Sequence, residues 1–313
     1  MFSAVVFGYS EVGHRCLQVL LDHGVAVPLV FTHEDQAGEQ RWFGSVAELA
    51  GAHGVRAVTP AQPAAAPWLE QIRRLAPDYI LACYYRSLLP PALLALARWG
   101  ALNMHGSLLP RYRGRAPVNW AIANGETQTG ATLHYMVERP DAGPIVAQQA
   151  VPIGPNDDAL AVSLAVAAAA ARVLTAALPA MAAGPPPGRP MDPALGSYFG
   201  GRRPEDGRIQ PDWPGMRVHA MIRAVAPPFP GAFVEVAGRR VVFASSHLSG
   251  EPARHLQLAP CLYATDGELY MDCQDGIRLR IGAVIVAGAA LDGRGFQERF
   301  GPEPWRFNFT ACD

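Results

Sequence analysis

Short apolar runs and helical segments alternate through the first half of the chain. Ala4 to Phe7 is an apolar run that ends at Gly8, and Ala26 to Phe31 is another that ends at Thr32-His33. Arg56 to Val58, Tyr79 to Cys83 and Ala101 to His105 continue the series, while Val12–Asp22, Ser45–His53 and Trp68–Leu75 read as the intervening helices. Repeats of this kind predict an α/β fold, with a parallel sheet covered by helices on both faces. Ligands of such sheets bind beyond the carboxyl ends of the strands, and Gly8, His33, Tyr84-Tyr85-Arg86 and His105 all fall there. Gly8-Tyr9-Ser10-Glu11-Val12-Gly13 lacks the dinucleotide-binding spacing, and no acidic residue closes the second strand. A tight strand-to-helix turn accounts for its glycines.

Two further strands are expected over Ala131–Val137 and Ile145–Ile153, joined through residues 138–143, and Asn156-Asp157-Asp158 caps a long helix over Ala159–Ala183. That helix is mostly alanine and is interrupted by Ser163, Arg172 and Pro179, which reads as a soluble helix and not a membrane span. Gly184-Pro185-Pro186-Pro187-Gly188-Arg189-Pro190 is linker-like. Beyond a short helix over Met216–Ala226, the pattern turns β-rich at Ala232–Val236, Arg240–Ala244, Gly267–Met271 and Gly276–Val286, as in a small β-barrel of oligonucleotide-binding type. The expected division is a catalytic domain over 1–183, a linker over 184–200 and a C-terminal barrel over 201–313.

The run from Ala101 to Glu126 carries the chemistry. Asn103 and His105 are two positions apart on a strand, so both point to one face, roughly 7 Å apart along the chain. Gly106 breaks the strand, and the loop beyond it carries Arg111, Arg113 and Arg115. An amide and an imidazole beside a basic loop suit the stabilisation of negative charge developing on oxygen. Asp141 adds a carboxylate that would orient the ring, favour its protonated form and accept a proton from an attacking amine. The chain has no Gly-x-Ser-x-Gly elbow, no phosphate-binding Walker loop and no paired metal-ligand motif, so no metal is expected. A site without nucleophile or metal points to direct transfer between two bound substrates.

Charge and cysteine usage narrow the setting. A net charge of −1 over 313 residues gives no overall basic surface, which counts against a nucleic-acid partner. Five scattered cysteines, Cys16, Cys83, Cys261, Cys273 and Cys312, read as free thiols in a reducing compartment. The N-terminal MFSAVVFGYSEVG has no basic region ahead of its apolar run and reads as a buried strand, so a cytoplasmic protein is expected.

Asn103-x-His105, Ser107-Leu108-Leu109-Pro110 and Asp141-Ala142-Gly143 resemble the folate-dependent formyltransferases. The resemblance is strongest to the branch that formylates UDP-4-amino-4-deoxy-L-arabinose and covers nearly the whole chain. It includes Phe31-Thr32-His33, Tyr84-Tyr85-Arg86, Thr132-Leu133-His134 and Arg223-Ala224-Val225-Ala226. It implies a Rossmann-like domain followed by a small barrel, 10-formyltetrahydrofolate as co-substrate, and Asn103, His105 and Asp141 as catalytic trio. Folate contacts carry over to Ser87, Leu88, Leu89, Arg115 and the stretch Val137, Glu138, Arg139, Pro140 and Asp141. Glu138 and Pro140 depart from the basic residue and alanine usual in the arabinose branch. Pro140 stiffens the backbone just before Asp141.

The resemblance implies formylation of the sugar 4-amino group, a step of lipid A modification and polymyxin resistance. A decarboxylase fused to the best-known relatives would then be a separate partner. Methionyl-tRNA formylation, or another nucleotide-linked amino sugar, is the alternative. The stretch His33-Glu34-Asp35-Gln36-Ala37-Gly38-Glu39 is acidic where the tRNA enzymes carry a basic insertion, and would repel phosphate.

Overall fold

The computed structural model describes residues 2–35, 41–236 and 238–307. Along the chain come β1 (Ala4–Gly8), α1 (Ser10–Asp22), β2 (Val30–Phe31), α2 (Val46–Ala52), β3 (Ala57–Val58), α3 (Ala66–Leu75), β4 (Tyr79–Cys83), α4 (Pro91–Leu94) and β5 (Gly100–His105). There follow β6 (Arg113–Gly114), α5 (Pro117–Ala123), β7 (Gln128–Tyr135), β8 (Ile145–Pro152), α6 (Ala159–Ala183) and β9 (Tyr198–Phe199). The described residues form two units. The first comprises those up to Pro117 with Gln128–Pro152 and Ser163–Gly200; the second comprises Val118–Thr127, Ile153–Val162 and those from Gly201 onward.

The first unit holds a seven-stranded sheet in the order β3-β2-β1-β4-β5-β7-β8. Its first five strands in that order pair in parallel, whereas β7 pairs antiparallel with both β5 and β8. The link from β7 to β8 is too short for a helical crossover, so the pair closes as a hairpin. The sheet is therefore Rossmann-like and mixed. The expected strand over Ala26–Phe31 shortens to Val30–Phe31, with only an isolated bridge from Ala26 to Ser3. Pro28 offers no amide hydrogen to a ladder, which explains the gap.

Burial follows the apolar pattern. Val5, Phe7, Leu29, Phe31, Ile72, Ile80, Leu89 and Leu93 form one core cluster, with the rings of Phe7 and Phe31 stacked at 4.4 Å. Helix α1 lies close against β1: a Cβ on Gly13 would sit 2.9 Å from the Gly8 carbonyl carbon and 3.1 Å from the Cys83 oxygen. That close approach is what the glycines of the first turn provide. Helix α6 is long and apolar enough to cross a membrane by composition, yet half of its most apolar stretch is buried in the fold. The Tyr79 hydroxyl donates to the carbonyls of Gly184 (2.6 Å) and Met181 (3.1 Å), tying the end of α6 to β4. Residues 184–200, expected as a linker, belong to the first unit, and β9 pairs in parallel with β6.

The second unit contains α7 (Gly215–Ala224), β10 (Ala232–Val236), β11 (Arg239–Phe243), β12 (Ser246–Pro252), β13 (Cys261–Thr265), β14 (Glu268–Asp272), β15 (Ile277–Ile281), β16 (Val284–Val286), β17 (Ala289–Leu291), α8 (Gly293–Phe300) and β18 (Trp305–Arg306). These strands form two antiparallel sheets, β10-β11-β16-β17 and β12-β15-β14-β13-β18. The single strand expected over Gly276–Val286 is divided: β15 lies in one sheet and β16 in the other, with Gly282-Ala283 between them. The polar β12, and β13, β17 and β18, are additions to the four expected strands. Inside this unit Asp272 accepts from Arg278 Nε (3.0 Å), Tyr263 Oη (3.2 Å) and the amides of Arg254 (2.7 Å) and His255 (2.8 Å). A buried ion pair needs such full hydrogen bonding to offset its desolvation.

Candidate active site

The antiparallel pairing of β5 with β7 builds the site. Asn103 lies opposite His134 and His105 opposite Thr132, so alternate residues of two adjacent strands share one face. Asp141, on the turn after β7, reaches this face with a positive φ of 50°. A non-glycine residue held in that region is uncommon and concentrates at functional sites. The structure therefore brings together the three residues singled out in the sequence and adds His134. The alternation in Thr132-x-His134 carried that signal, but it became readable only once β7 was known to pair with β5.

Asp141 is the hub. Its Oδ2 accepts the Gly114 amide at 2.9 Å. Its Oδ1 lies 3.4 Å from Asn103 Nδ2, 3.7 Å from His105 Nδ1 and 3.6 Å from His134 Nε2. Burial pushes the carboxyl up, but His105, His134 and the Gly114 amide outweigh it and hold Asp141 well below the usual carboxylate range. Asp141 is thus an anion lodged between two imidazoles. His105 Nε2 lies 2.8 Å from the Tyr112 carbonyl, an acceptor only, so this nitrogen carries a hydrogen and Nδ1 is the one turned to Asp141. His134 Nδ1 is fixed in the same way by the Tyr135 carbonyl at 2.8 Å, leaving Nε2 to face Asn103 Nδ2 at 3.1 Å. The long separations from Asp141 leave the Asn103 amide and the His105 Nδ1 edge open to a stronger acceptor.

The loop after β5 is pinned from below. Thr132 Oγ1 donates to the Ser107 carbonyl (2.6 Å), Gln148 Nε2 donates to Leu109 O (3.0 Å), and Ser107 Oγ donates to Arg111 O (2.6 Å). Its three arginines separate. Arg111 and Arg115 are exposed, whereas Arg113 is buried with Nη2 on the Pro193 carbonyl at 3.2 Å. Arg113 is on β6, whose pairing with β9 carries it inward.

The segments expected to hold a folate lie at strand ends. Leu88 is 79% exposed and Val137 43%, two apolar side chains left uncovered. Their neighbours Leu89 and Met136 pack on the same core cluster. Leu89 itself is buried there. Glu138 and Arg139 are exposed, and Ser87 and Pro140 half-buried. Uncovered apolar side chains beside charged and polar groups fit a flat, apolar ring system bearing polar edges. Tyr84 places its hydroxyl against Gly106, in the space a side chain there would need, and Tyr85 stacks on His33 at 4.1 Å. Of the acidic stretch after β2, residues 36–39 lie outside the described residues.

Comparison with known families decides the identity. Residues 4–178 match the model of the formyl transferase family, and residues 202–300 match that of the formyl transferase C-terminal domain. This chain belongs to the formyltransferase family. The formyltransferase fold recurs in a solved N-formyltransferase from Helicobacter canadensis in complex with folinic acid and dTDP-3-aminofucose. That structure is 18% identical, with a TM-score of 0.72 over 90% of this chain and 99% of that one. It recurs also in the sugar 3N-formyl transferase WlaRD, solved in the presence of dTDP and 5-N-formyl-THF. Identity there is 17%, with a TM-score of 0.70 and coverage of 90% and 97%. HypX from Aquifex aeolicus, in complex with tetrahydrofolic acid, is 17% identical with a TM-score of 0.64, and this formyltransferase covers 96% of itself and 47% of that chain.

Proposed function

We propose that this formyltransferase moves a formyl group from 10-formyltetrahydrofolate to the amino group of a nucleotide-linked amino sugar, UDP-4-amino-4-deoxy-L-arabinose being the acceptor its sequence favours. The observation that carries the reading is the ionised Asp141 between His105 and His134, with Asn103 on the same face. The amine attacks the formyl carbon, and the carbonyl oxygen becomes an oxyanion facing Asn103 Nδ2 and His105 Nδ1–H. The attacking nitrogen, now cationic and acidic, gives its proton to Asp141. The same proton then protonates the folate N10 as its bond to the formyl carbon breaks. Asp141 is a weak base because its pKa is low, and its larger contribution is a fixed negative charge beside His105. Ser87, Leu88, Leu89, Arg115 and residues 137–141 are the proposed folate contacts.

The acidic residues Glu34 and Asp35 after β2 favour a small nucleotide sugar over a tRNA stem, as does the full-length fold match to sugar N-formyltransferases. Formylation of the arabinose sugar would place the protein in lipid A modification in the cytoplasm. Side-by-side initial rates on UDP-4-amino-4-deoxy-L-arabinose, a dTDP-3-amino sugar and methionyl-tRNA test the assignment. Turnover confined to the UDP sugar supports it. Preference for the dTDP sugar would reassign the acceptor, and efficient tRNA formylation would overturn the sugar reading.

A further inference from the structure

Both groups that orient the catalytic pair belong to one short stretch of backbone. Tyr112 supplies the carbonyl on His105 Nε2, and Gly114 supplies the amide on Asp141 Oδ2. This stretch has little to hold it from its own sequence, since Tyr112 (φ 57°), Gly114 (φ 97°) and Ala116 (φ 51°) all adopt left-handed backbone. What holds it comes from more than 80 residues later in the chain. Ser197 Oγ accepts the Tyr112 amide at 2.9 Å and Ser197 O accepts the Arg113 amide at 2.9 Å, while Phe199 O accepts the Arg115 amide at 3.0 Å. The rings of Tyr112 and Phe199 stack at 5.2 Å, 11° from parallel. A Cβ on Gly114 would collide with the Phe199 carbonyl, so the two backbones lie in direct contact.

We propose that Ser197 and strand β9 are positioning elements for catalysis. By clamping residues 112–115 they fix the Tyr112 carbonyl and the Gly114 amide, and through these the His105 tautomer and the Asp141 rotamer. Ser197 touches no reacting atom and acts through the 112–114 backbone alone. Misplacement of a catalytic group by about 1 Å costs up to about 100-fold in rate, so loosening the clamp lowers kcat and leaves substrate KM values in place.

The test compares the full-length wild type with Ser197→Ala, which deletes the acceptor of the Tyr112 amide, and Ser197→Thr, which keeps it. Amide hydrogen exchange and formyl-transfer kinetics are measured on each. The expected result for Ser197→Ala is faster exchange at Tyr112 and also at Gly114, which Ser197 does not touch, with kcat down about 10- to 100-fold, KM for the donor unchanged, and recovery in Ser197→Thr. Faster exchange confined to Tyr112, or kcat within twofold of wild type, would overturn the proposal and leave β9 as scaffold. The kinetic arm rests on the proposed reaction. A wild type inactive on every acceptor would refute that reaction, while the Gly114 exchange would still decide whether Ser197 positions the site.

Discussion

Asp141→Asn is the most direct probe of the site, because it removes one charge with almost no change in shape. Asparagine tolerates the left-handed backbone that Asp141 occupies, so the turn survives. Its oxygen must stay on the Gly114 amide, which places the new amide hydrogens toward Asn103 Nδ2 and His105 Nδ1, both of which had faced an acceptor. At 3.7 Å, in an effective dielectric of about 20, the lost attraction between the carboxylate and a positive charge developing on His105 in the transition state is worth about 4 kcal/mol, or about 10³-fold in rate. A loss in kcat of about 10²–10³ is the expected outcome. Steady-state kinetics at saturating donor and acceptor measure it, with circular dichroism and the thermal midpoint reporting on the fold. A well-folded Asp141→Asn protein with kcat within tenfold of wild type would refute the electrostatic role given to Asp141.

Other consequences follow from burial and charge. Burial, and then the Arg86 charge, hold the His33 imidazole below its usual range, and its Nε2 accepts the Arg86 amide at 3.1 Å. A depressed histidine contributes stability above its unfolded value, about 6.5, that is lost as pH falls through the folded value. Urea midpoints should therefore fall on acidification below pH 6.5 in the wild type and less steeply in His33→Gln; parallel slopes would remove His33 from the account. Tyr79→Phe strips a donor from two buried carbonyls and should cost about 1–3 kcal/mol in denaturant unfolding, with no change predicted if those carbonyls find water instead. Asp272→Ala leaves the buried Arg278 paired only with the exposed Glu251 carboxylate (2.9 Å) and should destabilise the protein by about 3 kcal/mol, read as a lower thermal midpoint; a neutral effect would show the pair to be dispensable. Arg115→Ala, on an exposed side chain, should raise KM for donor or acceptor with a smaller fall in kcat, and unchanged constants for both would mark Arg115 as a loop residue.

Local pattern was enough to place β1, β4, β5 and α6, because each is a long enough apolar or alanine-rich run for burial to dictate its conformation. It failed where pairing partners decide. Pro28 cut the second strand short, and the run Gly276–Val286 became two strands in two sheets, since nothing along the chain says which neighbour an apolar strand will choose. The chemistry divided along the same line. Asn103 and His105 were legible as a pair because a strand's twofold alternation puts them on one face, and Asp141 joined them through its resemblance to a known motif. His134 was not legible as a site residue, because its place depends on β7 lying antiparallel to β5 in one register. Residues 184–200 read as a linker from their proline and glycine, yet Ser197 and Phe199 hold the backbone that orients Asp141 and His105. Sequence by itself determined the α/β character of the first half, the family and the residue types of the reacting face. Only the tertiary structure decided which imidazoles flank the carboxylate and what holds them, because those contacts join residues about 30 to 85 positions apart, beyond the reach of any local periodicity.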